Sequence, residues 1–407
     1  MKVCVVGSGG REHALVNSLA KSASVVATPG NPGMDRAQVT NQVPEEIEAD
    51  LYVIGPEVPL VEGLGDRLRS QGKVVFGPGS DGAKLEGSKA WMKDILARAK
   101  IPTARYQSCG NIQEAVEFLN TLKPPYVIKT DGLAAGKGVL VTESYEEALH
   151  DIEAKLSGKS FAGAGKTIVI EEFMDGYELS VMAICDGKSV FPLQAAQDYK
   201  RVGNGNQGPN TGGMGAYSPV ALVDMKLVDR VVNECIEPLV YQFRQDSIDY
   251  RGVLYAGLMI TEEGPKIVEF NIRFGDPETQ VVLPLLTNDL ATILYEAASG
   301  SLKTVPTFSV QTCVGVVLAS QGYPDGPIRT GDPIIGLDTA SQSSGSGVAI
   351  LHAGTQVSEN GQILTSGGRV LNVTALGADV NEARECAYRA LGEITWPGMH
   401  FRMDIGN

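Results

Sequence analysis

Cysteine, histidine and basic residues are all scarce in this chain, and each scarcity excludes something. The six cysteines (Cys4, Cys109, Cys185, Cys235, Cys313 and Cys386) are scattered through 407 residues, with no C-x-x-C pair and no histidine at a zinc-binding spacing. Disulfide frameworks belong to small secreted domains, so this usage predicts a reducing, cytoplasmic setting. The four histidines (His13, His150, His352 and His400) form no cluster with serine or cysteine, which leaves a hydrolase triad without support. No apolar stretch approaches the length of a membrane span, and Gly7 stops the run Val3–Val6 too early for a signal peptide. Lysine and arginine number 34 against 48 acidic residues, a net charge of −14, with no basic stripe to follow a nucleic-acid backbone. Any phosphate site must be local, built from a few lysines and backbone N–H groups. The partners expected are therefore small molecules rather than nucleic acid or membrane, with the chain acting as a monomer or weak homodimer.

What is present describes an ordinary globular protein, 43% hydrophobic and 20% charged, too long for a single core. Short apolar runs at residues 2–6, 25–28, 51–54 and 74–76 read as buried strands. Each ends in glycine or proline: Gly7-Ser8-Gly9-Gly10, Pro29-Gly30-Asn31, Gly55-Pro56-Glu57 and Gly77-Pro78-Gly79. Strands alternating with helical segments imply a parallel sheet with ligands beyond the strands' carboxyl ends. Ser88 reads as the N-cap of a helix with Trp91, Ile95, Leu96 and Ala99 on one face. Further strands are expected at 126–129, 139–142 and 167–173, helices at 112–122 and 145–156, and a hairpin turn at Asp186-Gly187. One long helix is expected from Met225 to Phe243, then a hairpin at 253–272 and a strand-rich segment after Pro306. The fold class is α/β and multi-domain. An N-terminal parallel α/β domain spans 1–101, a central domain 102–119 and 190–310, a small α+β subdomain 120–189, and a strand-rich C-terminal domain 311–407.

Five stretches carry candidate chemistry. The turn Gly7 to Glu12 lacks the sixth-position glycine and the acidic second-strand end of a dinucleotide site. It either holds a phosphate at the helix start or simply turns the chain. The run Lys129-Thr130-Asp131-Gly132-Leu133-Ala134-Ala135-Gly136-Lys137-Gly138 is not a P-loop, because Gly138 follows Gly136-Lys137 where serine or threonine is required. A glycine-rich loop between two strands either folds over a triphosphate, with Lys129 as a compact cation, or remains a solvated hairpin. In Ile168 to Glu178, the end of a strand leaves backbone groups for an adenine edge and Glu178 for ribose hydroxyls, although acidic strand ends are commonly just solvated. Alternation places Glu269, Asn271 and Arg273 on one face of their strand and Val268, Phe270 and Ile272 on the core face. A carboxylate beside an amide oxygen suits magnesium, and the adjacent arginine suits a transferring phosphoryl group. Last, Asp198 precedes a long glycine-rich loop through Gly215, where a carboxylate can hold a substrate amino group.

Together these stretches resemble the glycinamide ribonucleotide synthetase family of ATP-grasp ligases across nearly the whole chain. The resemblance rests on Gly9 to Leu15, Pro29-Gly30-Asn31, Gly55-Pro56-Glu57, Leu85 to Lys89, Lys129 to Gly138, Ile170 to Phe173, Gly208 to Tyr217, Glu269 to Glu278, His352 to Thr355 and Gly367 to Leu371. It implies an ATP-grasp central domain with residues 120–189 as its lid. The implied reaction is ligation of glycine to 5-phosphoribosylamine with ATP and magnesium (or manganese). By motif matching, Lys89, Lys129, Gly136 and Lys137 meet ATP phosphates, while Glu171, Glu172, Met174 and Glu178 meet adenosine. Glu269 and Asn271 hold the metal, and Arg273, Lys129 and Asp198 are the catalytic candidates. Gly9, Arg11, Asn31, Glu57, Asp198, Arg273, Gly275 and Asp276 are the substrate candidates. The chain departs from the family pattern in a short 31–55 segment, in Ser8 where asparagine is common and in Thr130 where alanine is common.

Overall fold

The N-terminal strands form where their punctuation places them. In the computed structural model, which describes residues 1–133, 138–158, 167–343 and 347–407, five parallel strands run in the order Ala37–Val39, Ser24–Pro29, Lys2–Gly7, Leu51–Ile54, Val75–Phe76. The short 31–55 segment does not leave the sheet edge open, since three of its residues, Ala37–Val39, supply the outermost strand. Both faces of this sheet are covered, as its unbroken apolar runs require. Cys4, Val6, Tyr52 and Ile54 pack with Met92, Ile95, Leu254 and Phe270, whereas Val3, Val5, Leu51 and Val53 pack with Met182, Leu283 and Ala291. The N-terminal sheet thus shares two cores with the middle of the chain.

The middle contains two antiparallel sheets. One orders Tyr106–Cys109, Ile168–Glu172, Tyr126–Thr130 and Val139–Thr142. Its helices Ile112–Leu119 and Tyr145–Leu156 help to close a separate small core around Phe118, Ile128, Ile152 and Ile170. The other orders Val190–Pro192, Tyr177–Asp186, Arg251–Thr261 and Gly264–Asn271. The helix expected from Met225 to Phe243 is present, but it widens to a π-turn over Val232–Ile236 before resuming at Glu237–Gln245. Pro238 explains this, because a proline inside a helix removes one N–H donor and its ring crowds the preceding turn.

The C-terminal sheet orders Gln197–Asp198, Gly215–Ser218, Thr312–Ala319, Arg369–Gly377 and Val348–His352, all antiparallel. Helix Val380–Leu391 packs on it through Ala383, Ala387 and Leu391. The strand bearing Asp198 therefore belongs to the C-terminal sheet, far along the chain from most of its neighbours. No helix of the described residues is long and apolar enough to cross a membrane.

A polar clasp joins the first and last sheets. Asn31 Nδ2 donates to Ser8 O (2.9 Å) and to His352 O (2.8 Å), and its Oδ1 accepts from Gly33 N. His352 N donates to His13 Nδ1 at 2.8 Å, and the two rings lie 5.9 Å apart. Burial, then the charge of His352, lowers His13 to a pKa of about 3, while burial lowers His352 to about 4 against the pull of Asp35. Both imidazoles are therefore neutral in the folded protein at pH 6, where unfolded histidine is largely protonated. Since the unfolded state binds more protons, stability falls as pH drops below about 6.5, on the order of 1 kcal/mol per pH unit for each imidazole. Between pH 6.5 and 5 the unfolding free energy of the wild type should decline more steeply than that of His13→Asn. Parallel slopes would show that the pair does not titrate on unfolding.

Candidate active site

The carboxyl ends of the parallel strands open onto the junction of the first, third and fourth sheets, and the charged residues gather there. Strand Gly264–Asn271 carries Glu269 and Asn271 to this junction, with Arg273 just beyond the strand. Simple alternation fails on the way. Leu258 pairs with Ile267 and Gly257 with Glu269, so Val268 bulges out of register. As a correction to the expected core face, Ile267 replaces Val268 beside Phe270 and Ile272 in the core. The bulge has a use: Val268 O accepts from Lys129 Nζ at 3.1 Å.

Arg273 is tied from several sides. One guanidinium nitrogen lies 3.1 Å from Glu86 Oε1 and 3.3 Å from Asn271 Oδ1, and its Nε lies 3.5 Å from Glu57 Oε2. Glu86 also accepts from Ile272 N at 2.9 Å. Burial opposes ionisation of Arg273, but Glu86 and Glu57 outweigh it and raise its pKa. Burial likewise disfavours the Glu57 carboxylate, yet Arg273 and Arg11 hold it below its usual range. Arg11 donates to Phe274 O at 3.2 Å and pairs with Glu12. Gly9 N in turn donates to Glu12 Oε2 at 2.6 Å, which closes the helix start at Gly10–Leu19.

Glu269 stands among cations. Burial would push its carboxyl up, but Lys200, Lys129, Lys89 and Arg273 bring it below the ordinary range, so it is ionised. Gly257, on the neighbouring strand, gives it room, since a Cβ there would lie 3.2 Å from Glu269 Cγ. A carboxylate and a side-chain amide oxygen two residues apart fit a hard divalent cation that takes its remaining ligands from phosphate and water.

Lys89 begins helix Lys89–Arg98, whose first turn is capped by Ser88 and by Asp131, and its Nζ donates to Gly132 O at 3.0 Å. One turn on, Lys93 is wholly buried. Its Nζ reaches Thr103 Oγ1 (2.7 Å) and Glu171 Oε1 (3.1 Å), the same oxygen that lies 2.9 Å from Lys129 Nζ. Glu171 is thus an internal bridge between two lysines rather than an exposed strand-end acid. Glu172 Oε1 accepts from Arg105 N, Met174 is half-buried beyond the strand, and exposed Glu178 pairs with Lys200 at 2.8 Å. Gly136 and Lys137 lie outside the described residues.

Asp198 faces the glycine-rich loop closely enough that a Cβ on Gly213 would sit 2.7 Å from its Oδ1. That oxygen has no hydrogen-bond partner among the described residues, and burial, then Glu278, raises its pKa well above the usual range. Gly275 fits because a Cβ there would meet Glu278 Oε2 at 2.5 Å. Asp276 accepts from Gln280 Nε2 at 2.6 Å and lies 3.3 Å from Arg369. Arg369 also donates to Gly212 O and to Asp276 O. Beside them a cavity of about 260 Å³ opens between Ser8-Gly9-Gly10 and the C-terminal sheet. Asn31, spent on the clasp described above, is a support for the Ser8 turn. Sequence reasoning did not single out Glu86, Lys93, Lys200, Glu278, Gln280 or Arg369. Burying a charged residue requires a partner, but the partners of Glu86, Lys93, Lys200, Glu278 and Arg369 are distant in sequence, so only the fold reveals them, while Gln280 is marked by its burial rather than by its near partner Asp276.

The architecture and this charge arrangement define an ATP-grasp ligase. The fold is shared with a biotin carboxylase from Campylobacter jejuni, a β,γ-ATP complex, at a TM-score of 0.75 and 14% identity over 98% of this chain and 92% of that one. Family models for the phosphoribosylglycinamide synthetase N domain, ATP-grasp (A) domain and C domain match residues 1–86, 87–279 and 313–407. The chain is 47% identical to a phosphoribosylamine–glycine ligase of Streptomyces coelicolor, over 100% of this chain and 98% of that protein. The crystal structure of a phosphoribosylamine–glycine ligase from Thermotoga maritima matches with a TM-score of 0.89 and 34% identity, over 99% and 100% of the two chains. The chain belongs to the phosphoribosylglycinamide synthetase family.

The lysine–glutamate–lysine bridge supports a stability prediction. Removing one partner of a buried pair leaves an uncompensated charge and costs about 3–5 kcal/mol, whereas removing both charges costs far less than the sum. Glu171→Gln, which strips both lysines of their shared counter-charge, should therefore lower the unfolding free energy by a few kcal/mol, and adding Lys93→Met should restore part of it. Strict additivity in a denaturant-unfolding cycle would show that the two residues do not share their charge.

Proposed function

We propose that this protein joins glycine to 5-phosphoribosylamine at the expense of ATP, forming glycinamide ribonucleotide, ADP and phosphate, a step of purine biosynthesis. The observation that carries this reading is the convergence of Lys89, Lys129, Lys200 and Arg273 on Glu269, next to a cavity bounded by Gly9, Gly10, Asp276 and Arg369. A glycine carboxylate oxygen attacks the γ-phosphorus, the bond to ADP breaks, and glycyl phosphate forms. The amine nitrogen then attacks the acyl carbon, loses a proton, and expels phosphate as the amide forms.

In this reading Lys89 and Lys129 bind the triphosphate, and Arg273, held ionised by Glu86 and Glu57, faces charge developing on the phosphoryl group. Glu269 and Asn271 hold magnesium or manganese, which supplies charge neutralisation at the phosphates when bound. Glu171 acts from beneath by holding Lys129, and adenosine falls to Glu172, Met174 and Glu178 around the strand end. Asp198 receives the ammonium of glycine: burial and Glu278 favour its neutral form, and a cationic donor at its Oδ1, unpartnered among the described residues, restores the carboxylate. Gly9, Gly10 and Arg369 face the phosphate of the amine substrate, with the helix-start N–H groups from Gly10 onward as donors, since Gly9 N is already bonded to Glu12. Arg11, Glu57, Gly275 and Asp276 shape the wall between the two substrates. The chain acts on small molecules, as a monomer or weak homodimer in the cytoplasm.

Purified protein with ATP, magnesium and glycine should release ADP only when freshly generated 5-phosphoribosylamine is added, with a product mass matching glycinamide ribonucleotide. Release with a different amine would reassign the substrate. Glu269→Ala should lower turnover more than about 100-fold without changing the thermal midpoint by more than a few degrees. Arg273→Ala should depress kcat by about 100- to 1,000-fold and change KM for ATP much less. The opposite split would make Arg273 a ground-state binding residue.

A further inference from the structure

Two buried side-chain amides at the cavity remain without a role. Asn372, on the C-terminal sheet opposite Val317 and Leu351, is 2% exposed, and neither its Nδ2 nor its Oδ1 has a hydrogen-bond partner among the described residues. Gln280 is 1% exposed, spends its Nε2 on Asp276, and leaves its Oε1 unmet. Both line the cavity of about 260 Å³ that begins at Gly9 and Gly10. Folded proteins seldom keep buried polar atoms unpaired unless a ligand or water meets them.

The chemistry of the unmet atoms is specific. Two are acceptors, Asn372 Oδ1 and Gln280 Oε1, and one is a donor, Asn372 Nδ2; turning the Asn372 amide over still presents one donor and one acceptor. The Asp276 carboxylate nearby adds further acceptor capacity. An ionised phosphate offers acceptors almost exclusively and does not satisfy such a set, whereas a hydroxyl both donates and accepts. The helix start at Gly10, beside Gln280, and the Arg369 guanidinium, 3.3 Å from Asp276, have the opposite preference. A sugar phosphate, with hydroxyls for the unmet amides and a phosphate for the N–H and guanidinium donors, satisfies both.

We propose that Asn372 and Gln280 hydrogen-bond the ribose hydroxyls of the amine substrate and make the ribosyl group a requirement for turnover. This specificity role rests on the function proposed above. A site that hydrogen-bonds a hydroxyl rejects the analogue lacking it, because its own buried groups are then left unpaired.

The test compares 5-phosphoribosylamine with its 2-deoxyribosyl counterpart, each generated from the sugar phosphate and ammonia, in the wild type, Asn372→Leu and Gln280→Leu. The wild type should favour the ribosyl amine by at least about 100-fold in kcat/KM. Each variant should lose at least about 10-fold in kcat/KM for the ribosyl amine and little for the deoxy compound, so that discrimination collapses. KM for ATP and for glycine should stay within about twofold. Retained discrimination in both variants would overturn the proposal, leaving water as the partner of these amides. So would a parallel rise in all three KM values, the mark of a packing role. Absence of wild-type turnover with the ribosyl amine would instead remove the function itself, and this inference with it.

Discussion

Arg273 is the charge around which the junction is organised. Burial alone would drive a guanidinium back toward water, and only closely placed carboxylates keep it ionised inside a protein. Those carboxylates come from different parts of the chain. Glu57 begins the helix after the third apolar run of the N-terminal sheet, and Glu86 lies just ahead of the Ser88 cap. The guanidinium also meets Asn271 at the end of its own strand. One side chain thus fixes how the end of the N-terminal sheet, the helix preceding Lys89, and the strand bearing Glu269 meet. Burial raises Glu86 even though Arg273 pulls it down, whereas Glu57 ends below its usual range. The two carboxylates therefore do not serve the arginine equally, and the more exposed Glu57 is the freer of the two to exchange partners.

Much of this was legible because the informative patterns are local. Apolar runs closed by glycine and proline gave the parallel strands, and Ser88 marked its helix through a capping bond to Trp91 that the structure contains at 3.1 Å. The spacing of Glu269, Asn271 and Arg273 pointed to phosphoryl chemistry without any tertiary knowledge. What stayed hidden depends on register or on distant partners. The bulge at Val268 is set by how two strands pair, and nothing in the sequence of the second strand alone announces it. Glu171 looked like an accessible strand-end acid because alternation cannot show that Lys93 lies beneath it. Nothing in an asparagine after a Pro-Gly turn signals that Asn31 also donates to a backbone carbonyl more than three hundred residues later. Asn372 reads as an ordinary polar residue in a strand until both of its amide atoms are found buried and unmet, among the described residues, in a side chain that lines the cavity.

The way the sheets are joined also bears on how the site works. The N-terminal sheet and the sheet of Glu269 share both of their large cores, so their relative position is held by apolar burial. The small sheet bearing Lys129 and Glu171 has an apolar cluster drawn only from its own strands and helices among the described residues. Polar contacts help tie it to the rest: Lys93 to Glu171, Lys129 to Val268 O, Lys89 to Gly132 O, and Arg105 N to Glu172. Apolar burial is lost steeply when surfaces part, whereas hydrogen bonds and ion pairs exchange with water or phosphate at modest net cost. In the function proposed above, a triphosphate beside Lys89 and Lys129 would offer these lysines new oxygens in place of the protein's own. On the proposed reading, the energy of nucleotide binding would act on the polar ties of the small sheet rather than on the shared apolar cores. Such a division suits a reaction whose acyl phosphate must be kept from water until the amine arrives.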